Sequence, residues 1–224
     1  MIIMNKDNVR MREIKLRNPA LKELLNKFVE EFFEDDMDFV DKHIKNHDSD
    51  IHCTSDEYLQ RMQTKNHIGF PEHSMLVGTC PSGWTGHQDL LSENKRVMLV
   101  DMQKKINEFI GAKYNALCAY YPKGGHIGWH TNWNAPGYNI LFTYNTTPNG
   151  YFKYQDPATK ETHILKDTGS AWNIRVGYYG RMDEPDKILW HTAETESPRV
   201  NIAFVMDQEE MWLDMIDEIE DPEL

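Results

Sequence analysis

Apolar residues recur at helical spacing near the start of the chain, at Leu21, Leu24, Leu25, Phe28, Val29, Phe32 and Phe33. This spacing predicts a long amphipathic helix with one buried face. Asn18 is placed to act as its N-cap, and Pro19 suits the first helical position, where a missing N–H costs nothing. Thr54 with Glu57 three residues on has the form of a capping box and predicts a short helix through Tyr58, Leu59 and Met62. Between Gly69 and Gly86 the glycines, prolines and serine, with Trp84 among them, predict an irregular loop. A second amphipathic helix is predicted from Glu93 to Ile110, with Val97, Val100, Ile106, Phe109 and Ile110 facing inward and Gly111 closing it.

From Asn115 the rhythm changes to short strands separated by turn residues. Strands are predicted near 115–121, 127–131, 138–145, 150–155, 161–166, 170–176, 187–191 and 199–206, divided by signals such as Pro-Lys-Gly-Gly, Asn-Ala-Pro-Gly and Thr-Pro-Asn-Gly. Short strands at this spacing predict a mainly β fold, a sandwich or jelly roll, with the helices of the first half covering one outer face. The chain reads as a single domain over 1–224: helical support and loops over 1–113, a jelly-roll core over 114–206, and an acidic segment over 207–224. In that last segment Met211, Trp212, Met215, Ile216 and Ile219 predict a short helix docked on the body or on a second subunit.

Composition narrows the class. A chain of 224 residues with 40% hydrophobic content can bury one substantial core. Cys53, Cys80 and Cys118 are odd in number and widely spaced, which suggests neither a disulfide framework nor a thiolate zinc site. No apolar run is long enough for a signal peptide or a membrane span, so a reducing, cytoplasmic setting is expected. The net charge of −12, concentrated from Glu30 to Asp38 and from Asp207 to Glu220, disfavours nucleic acid as a partner without excluding a local basic groove. Oligomeric state is left open.

The chemistry concentrates in Trp129-His130-Thr131-Asn132, Trp190-His191 and Arg199. His130 and Asn132 are two apart, so on an extended strand they point to one side. His191 follows at the end of a separate predicted strand, and a jelly roll can bring such ends to one mouth. Two imidazoles and one side-chain oxygen on a β-scaffold form the three-ligand face that leaves open positions on non-haem Fe(II). On the last strand Arg199, Asn201, Ala203 and Val205 face one way, and Val200, Ile202, Phe204 and Met206 the other. An arginine inside a barrel is costly unless it meets an anion, and a planar guanidinium matches a carboxylate with two parallel hydrogen bonds. An inward Arg199 therefore asks for a dicarboxylate.

On these residues, 114–206 resemble the Fe(II)- and 2-oxoglutarate-dependent dioxygenase superfamily, with its His-x-Asp or His-x-Glu, distant His and late Arg or Lys. The resemblance implies a double-stranded β-helix, with His130, Asn132 and His191 as metal ligands. It also assigns Arg199, with Asn201, to the distal carboxylate of 2-oxoglutarate. Tyr120-Tyr121-Pro122-Lys123-Gly124-Gly125 is similar to the Tyr-containing strand and turn of prolyl-hydroxylase-like members, which implies that Tyr120 touches the co-substrate. Tyr138 to Asn145, then Gly150, is similar to the strand and glycine turn that follow the metal strand. The implied cofactors are Fe(II), 2-oxoglutarate and O₂, and the implied reaction is hydroxylation of a peptide, amino acid or other small molecule.

Asn132 departs from the pattern. A neutral amide leaves the metal its full charge, so metal and dianionic co-substrate are expected to bind synergistically. Halogenases and the aspartyl β-hydroxylase group also lack the carboxylate, so halogen transfer, action on nucleic-acid bases, and an inactive ligand-binding or sensory barrel stay open as alternatives. So does a cupin-like protein holding another metal. His126 is an alternative third ligand. His163 and the tryptophans at 129, 172 and 190 read as structural, Trp133 and Tyr138 as packing or as lining for a substrate pocket, and Tyr121 as core or rim. Arg175, Arg181 and Lys153 read as surface charges or contacts for an anionic substrate.

Overall fold

The computed structural model describes residues 11–34, 52–65, 71–79 and 92–223. In chain order its elements begin with β1 (Arg12–Ile14), α1 (Pro19–Phe32), α2 (Asp56–Thr64), β2 (His73–Ser74), β3 (Leu76–Thr79) and α3 (Glu93–Ile110). Strands β4 (Tyr114–Tyr121), β5 (His126–His130), β6 (Gly137–Asn145) and β7 (Gly150–Gln155) follow. Then come β8 (Thr162–Lys166), β9 (Ala171–Tyr179), β10 (Trp190–Thr195), β11 (Arg199–Met206) and α4 (Glu209–Glu220). One sheet has the order β1-β9-β6-β11-β4-β3 and the other β2-β5-β10-β7-β8. Every pairing between named strands is antiparallel. Counting β4 to β11 as strands one to eight, 6-3-8-1 faces 2-7-4-5. That is the winding of a jelly roll, a double-stranded β-helix.

The period-two alternation of β11 decides what each face does. Val200, Ile202, Phe204 and Met206 pack with Tyr120, Phe142 and Val176 against α1, α3 and α4, while Ala203 joins Leu141 and Phe152 in the interior. The helices thus cover the outer face of the first sheet. On the outer face of the second sheet, α2 packs Tyr58, Leu59 and Met62 against Trp129 and Trp190. Asn18 caps α1 by accepting from the Leu21 N–H at 3.0 Å, an interaction worth about 1 kcal/mol. Gly111 ends α3 in the left-handed region at φ 63°. Helix α4 docks beside α1, with Trp212 Nε1 donating to the Asn139 carbonyl at 3.1 Å.

Several details differ from the sequence reading. The cap of α2 is Ser55, whose Oγ accepts from the Tyr58 N–H at 3.1 Å; Thr54 instead donates to Glu194 Oε2 at 2.9 Å. On α3 the buried stripe runs through Leu99, Met102, Ile106 and Ile110, and Val97 and Val100 fall outside it, 61% and 53% exposed. The strand expected at 187–191 begins at Trp190, because a series of turns with Glu184 N–H on Arg181 O and Lys187 N–H on Glu184 O occupies the preceding residues. Part of the expected loop is β2 and β3, each paired with one of the first two core strands. The rest of it, with Trp84, and the acidic run beyond Glu34 lie outside the described residues. Among the described residues no helix is long and apolar enough to cross a membrane.

Candidate active site

His130 and His191 lie directly opposite each other in the β5–β10 pair, and their ring centroids are 4.1 Å apart. Direct cross-strand neighbours on one face bring side chains this close. The register shifts between His191 and Ala193, so that Gly128 and Trp129 together oppose Thr192. This bulge lets Ile127 and His130, three residues apart, both face the cavity, which strict alternation would forbid. Gly128 is required at the bulge: a Cβ there would stand 2.9 Å from the Cβ of Cys53 and 3.1 Å from the Glu72 carbonyl.

Both imidazoles are held by the strand that carries them. His130 Nδ1 lies 2.8 Å from the Gly128 carbonyl and His191 Nδ1 3.2 Å from that of Leu189. A carbonyl only accepts, so in the neutral rings Nδ1 carries the proton and Nε2 keeps a lone pair, the state a metal ligand needs. His191 is boxed by Phe152 and Tyr179. Burial, and then the neighbouring His130, push its pKa well below the ordinary histidine value, so it is neutral at pH 7.

Asn132 stands in the loop after β5 and lines the same cavity, of about 340 Å³, as the two histidines. Its amide donates to Asn139 Oδ1 at 3.4 Å. Asn139 cannot turn round, because its own Nδ2 donates to the carbonyls of Ala135 and Gly137 at 3.3 and 3.0 Å. The chain of amides thereby commits the nitrogen of Asn132 to Asn139 and frees its oxygen for a cation. Among the described residues no group of three or more His, Cys, Asp and Glu side chains is placed to hold a metal. The donor set on offer is therefore two imidazoles and one amide oxygen, with no carboxylate. It fits a divalent ion that brings an anionic ligand with it.

Arg199 faces the interior and is fully buried. It does not line the cavity; Asn201 and Tyr121 do, and Tyr121 is its direct cross-strand neighbour. The Tyr121 hydroxyl is pushed up to about 12 by burial, against the charge of Arg199 and a hydrogen bond with Asn201, and so stays protonated. Arg199 Nη1 donates to the Tyr151 carbonyl at 3.2 Å, and Nε lies 3.3 Å from Asp167 Oδ2. Its Nη2 has no hydrogen-bond partner, nor has Asn201 Oδ1 or the Oγ1 of Thr143, which lies opposite Asn201 on β6. Buried polar atoms are nearly always paired, so this orphaned set fits a missing carboxylate.

The anion expected for Arg199 is thus partly internal. Asp167, at the turn after β8, also holds Arg175 Nη2 at 2.9 Å. Arg175 was expected at the surface; it is fully buried on the inner face of β9 and reaches out to Glu13 at 3.0 Å. Burial works against ionising Asp167, but Arg199 and Arg175 outweigh it and hold the carboxyl below its ordinary range. A turn aspartate carries no local mark of such a role. The available signal was two arginines on the inward phase of their strands, each needing an anion.

Tyr120, assigned by the resemblance to the co-substrate, is on the other face: its ring packs 6.0 Å from Phe32 and 6.4 Å from Phe33 in the helix-covered core. The one-residue step of the strand makes Tyr121 the inward tyrosine. His126 is away from the cavity, with its ring 5.5 Å from His52, and His163 stacks on Tyr154 at 5.1 Å. Tyr138 packs on Tyr178 and Trp212, whereas Trp133, 42% exposed, lines the cavity. Lys153 pairs with Asp56 at 2.7 Å and has a side chain only 13% exposed.

No family model and no curated protein matches the chain. Among solved structures it is similar to a Pseudomonas putida prolyl-4-hydroxylase, at 12% identity and a TM-score of 0.42 over 88% of this chain and 92% of that one. It is also similar to a rice dioxygenase for auxin oxidation, at 14% identity and a TM-score of 0.36 over 92% and 77%. A third is a viral collagen prolyl hydroxylase from Paramecium Bursaria Chlorella virus-1, in a 2OG complex, at 13% identity and a TM-score of 0.29 over 73% and 94%. These are distant likenesses, and what the chain does has to be read from its own side chains.

Proposed function

We propose that this chain is an Fe(II)- and 2-oxoglutarate-dependent oxygenase that hydroxylates a peptide, an amino acid or another small molecule. The observation that carries the reading is the His130–His191 pair, two imidazoles that face one cavity from adjacent strands, each with its Nδ1 held on a backbone carbonyl of its own strand. Asn132 is the third donor. Arg199, reached past Tyr121 and Asn201, takes the distal carboxylate of the co-substrate. Bound iron, with 2-oxoglutarate and O₂, supplies the oxidant that removes hydrogen from an unactivated C–H bond. The protein's share is to orient and to exclude water. Leu117, Ile127, Leu141 and Phe152 make the walls apolar, and Trp133 stands where a substrate enters. Because the three donors are neutral, metal and dianion stabilise each other, and each binds poorly alone.

Anaerobic titration of the apoprotein with Fe(II) and 2-oxoglutarate tests this. The visible charge-transfer band of the chelated co-substrate is expected only with both components, and is expected to vanish in His191→Ala. Iron that fails to bind, with no band, would end the oxygenase reading. A second reading, a barrel that holds ligand without turnover, is favoured by Asp167 already occupying part of Arg199. Uptake of ligand with no O₂ consumption would select it.

A further inference from the structure

Arg199 and Arg175 are both fully buried, and one carboxylate, that of Asp167, lies between them. Its position is set from several sides. Asp167 N–H donates to the Gly150 carbonyl at 2.8 Å, and Asn145 Nδ2 donates to Oδ2 at 3.0 Å. Asn145 is itself held through the same nitrogen to Thr195 Oγ1 at 3.0 Å. Gly150 leaves the room: a Cβ there would stand 2.3 Å from Asn145 Nδ2 and 2.5 Å from Asp167 Oδ2. With Glu13 on the far side of Arg175, two cations meet two carboxylates, and the group is neutral before any ligand arrives.

That balance changes how Arg199 can treat an acid. The Nε edge faces Asp167, and Nη1 is spent on the Tyr151 carbonyl. Nη2 is buried without a hydrogen-bond partner, and Nε, although it faces Asp167, makes no hydrogen bond to it either. A ligand carboxylate therefore meets an Nε–Nη2 edge that Asp167 already contests, with the Tyr121 hydroxyl beside it, so the two-bond fork that makes arginine–carboxylate pairs strong is open to it only in competition with Asp167. It also enters a space already holding a like charge. At the effective dielectric of protein sites, two carboxylates a few ångströms apart repel enough to shift binding by one to two powers of ten.

We propose that Asp167 is a built-in competitor for Arg199, which keeps the barrel neutral when empty and sets how tightly it holds a dicarboxylate. This rests on the reading of Arg199 given under Proposed function. It makes Asp167 a positioning residue, one that acts on the ligand through the arginine.

The test is anaerobic calorimetric titration of the full chain, with Fe(II) present throughout, with 2-oxoglutarate and with glutarate, which lacks the keto group that chelates a metal. Binding is compared between the unmodified protein, Asp167→Asn, and the double variant Asp167→Asn with Arg175→Met. The double variant removes both halves of the inner ion pair and guards against a single variant that fails to fold. Arg199→Met is the control. Both Asp167 variants are expected to bind the two acids on the order of 10- to 100-fold more tightly, and Arg199→Met to abolish the gain. Equal or weaker binding in both variants, with ordinary binding by the unmodified protein, overturns the proposal and leaves the oxygenase reading standing. No Arg199-dependent binding in any background overturns both.

Discussion

The two ends of the barrel interior solve the burial of polar groups in opposite ways. At the histidine end, His130, His191 and Asn132 bring no carboxylate, and each is oriented by a hydrogen bond to a backbone carbonyl or to Asn139. At the arginine end, Arg175, Arg199, Asp167 and Glu13 form a chain of ion pairs that balances their charges. The first arrangement costs little to build and waits for a ligand. The second is expensive to desolvate and is stable only while complete. The difference separates stability from binding, and that separation can be broken by substitution.

The largest effect is expected from Asp167→Ala. It leaves two buried guanidinium groups with one half-exposed carboxylate, and a broken buried pair costs about 3–5 kcal/mol. Urea unfolding checks it. The same pairing carries a pH signature. The folded Asp167 carboxyl lies below its unfolded value, so its contribution is complete above about pH 4 and is lost as the pH falls through the folded value. The unmodified protein should therefore lose stability on acidification more steeply than Asp167→Ala does. Equal slopes would mean that the arginine end is not held by that charge.

His130→Ala makes the opposite case. The side chain is only partly buried and lines the cavity, so its removal should change unfolding free energy by no more than about 1 kcal/mol. Fe(II) affinity should nevertheless fall by about 100-fold or more, because one of only two imidazole donors is gone. If stability and iron binding fall together, the histidine end is structural after all and the contrast between the ends fails.

A smaller change tests the neutrality of that end. Asn132→Asp supplies the carboxylate that a three-ligand iron face ordinarily has. It should tighten Fe(II) about tenfold and reduce the dependence of iron binding on 2-oxoglutarate. The gain is held down by Asn139, whose oxygen would then face a carboxylate instead of an N–H. An unchanged iron affinity, measured by competition with a chromophoric chelator, would remove Asn132 from the ligand set.

How much of this could be read from the sequence follows from the range of each interaction. Strand positions, the cap at Asn18 and the end at Gly111 depend on residues within a turn or two, and apart from the shifted β10 the strands lie within a few residues of their predicted places. The facing of Arg199 and Asn201 follows from alternation along a single strand. The internal partner of Arg199 does not, since Asp167 is 32 positions away in a turn whose local pattern says only turn. Nor does the bulge at Gly128, because it exists only against β10. Strands β1 to β3 were missed because each is too short to show a period and is made by its neighbour.

The smallest effect separates the two faces of β4. Tyr120 and Tyr121 are adjacent, buried and chemically identical, and only the phase of the strand distinguishes them. Tyr121 lies across from Arg199 with its ring centroid 5.5 Å from the guanidinium carbon. Tyr121→Phe removes a hydroxyl placed to donate to the ligand carboxylate, and should weaken 2-oxoglutarate by about 1 kcal/mol, roughly fivefold, with iron affinity alone unchanged. Tyr120→Phe should leave co-substrate affinity as it was, since that hydroxyl lies in the helix-covered core with the whole sheet between it and the cavity. A co-substrate effect at Tyr120 equal to that at Tyr121 would mean that the register of β4 against β11 is off by one residue. Every inward assignment made from that register, Arg199 included, would then fall with it.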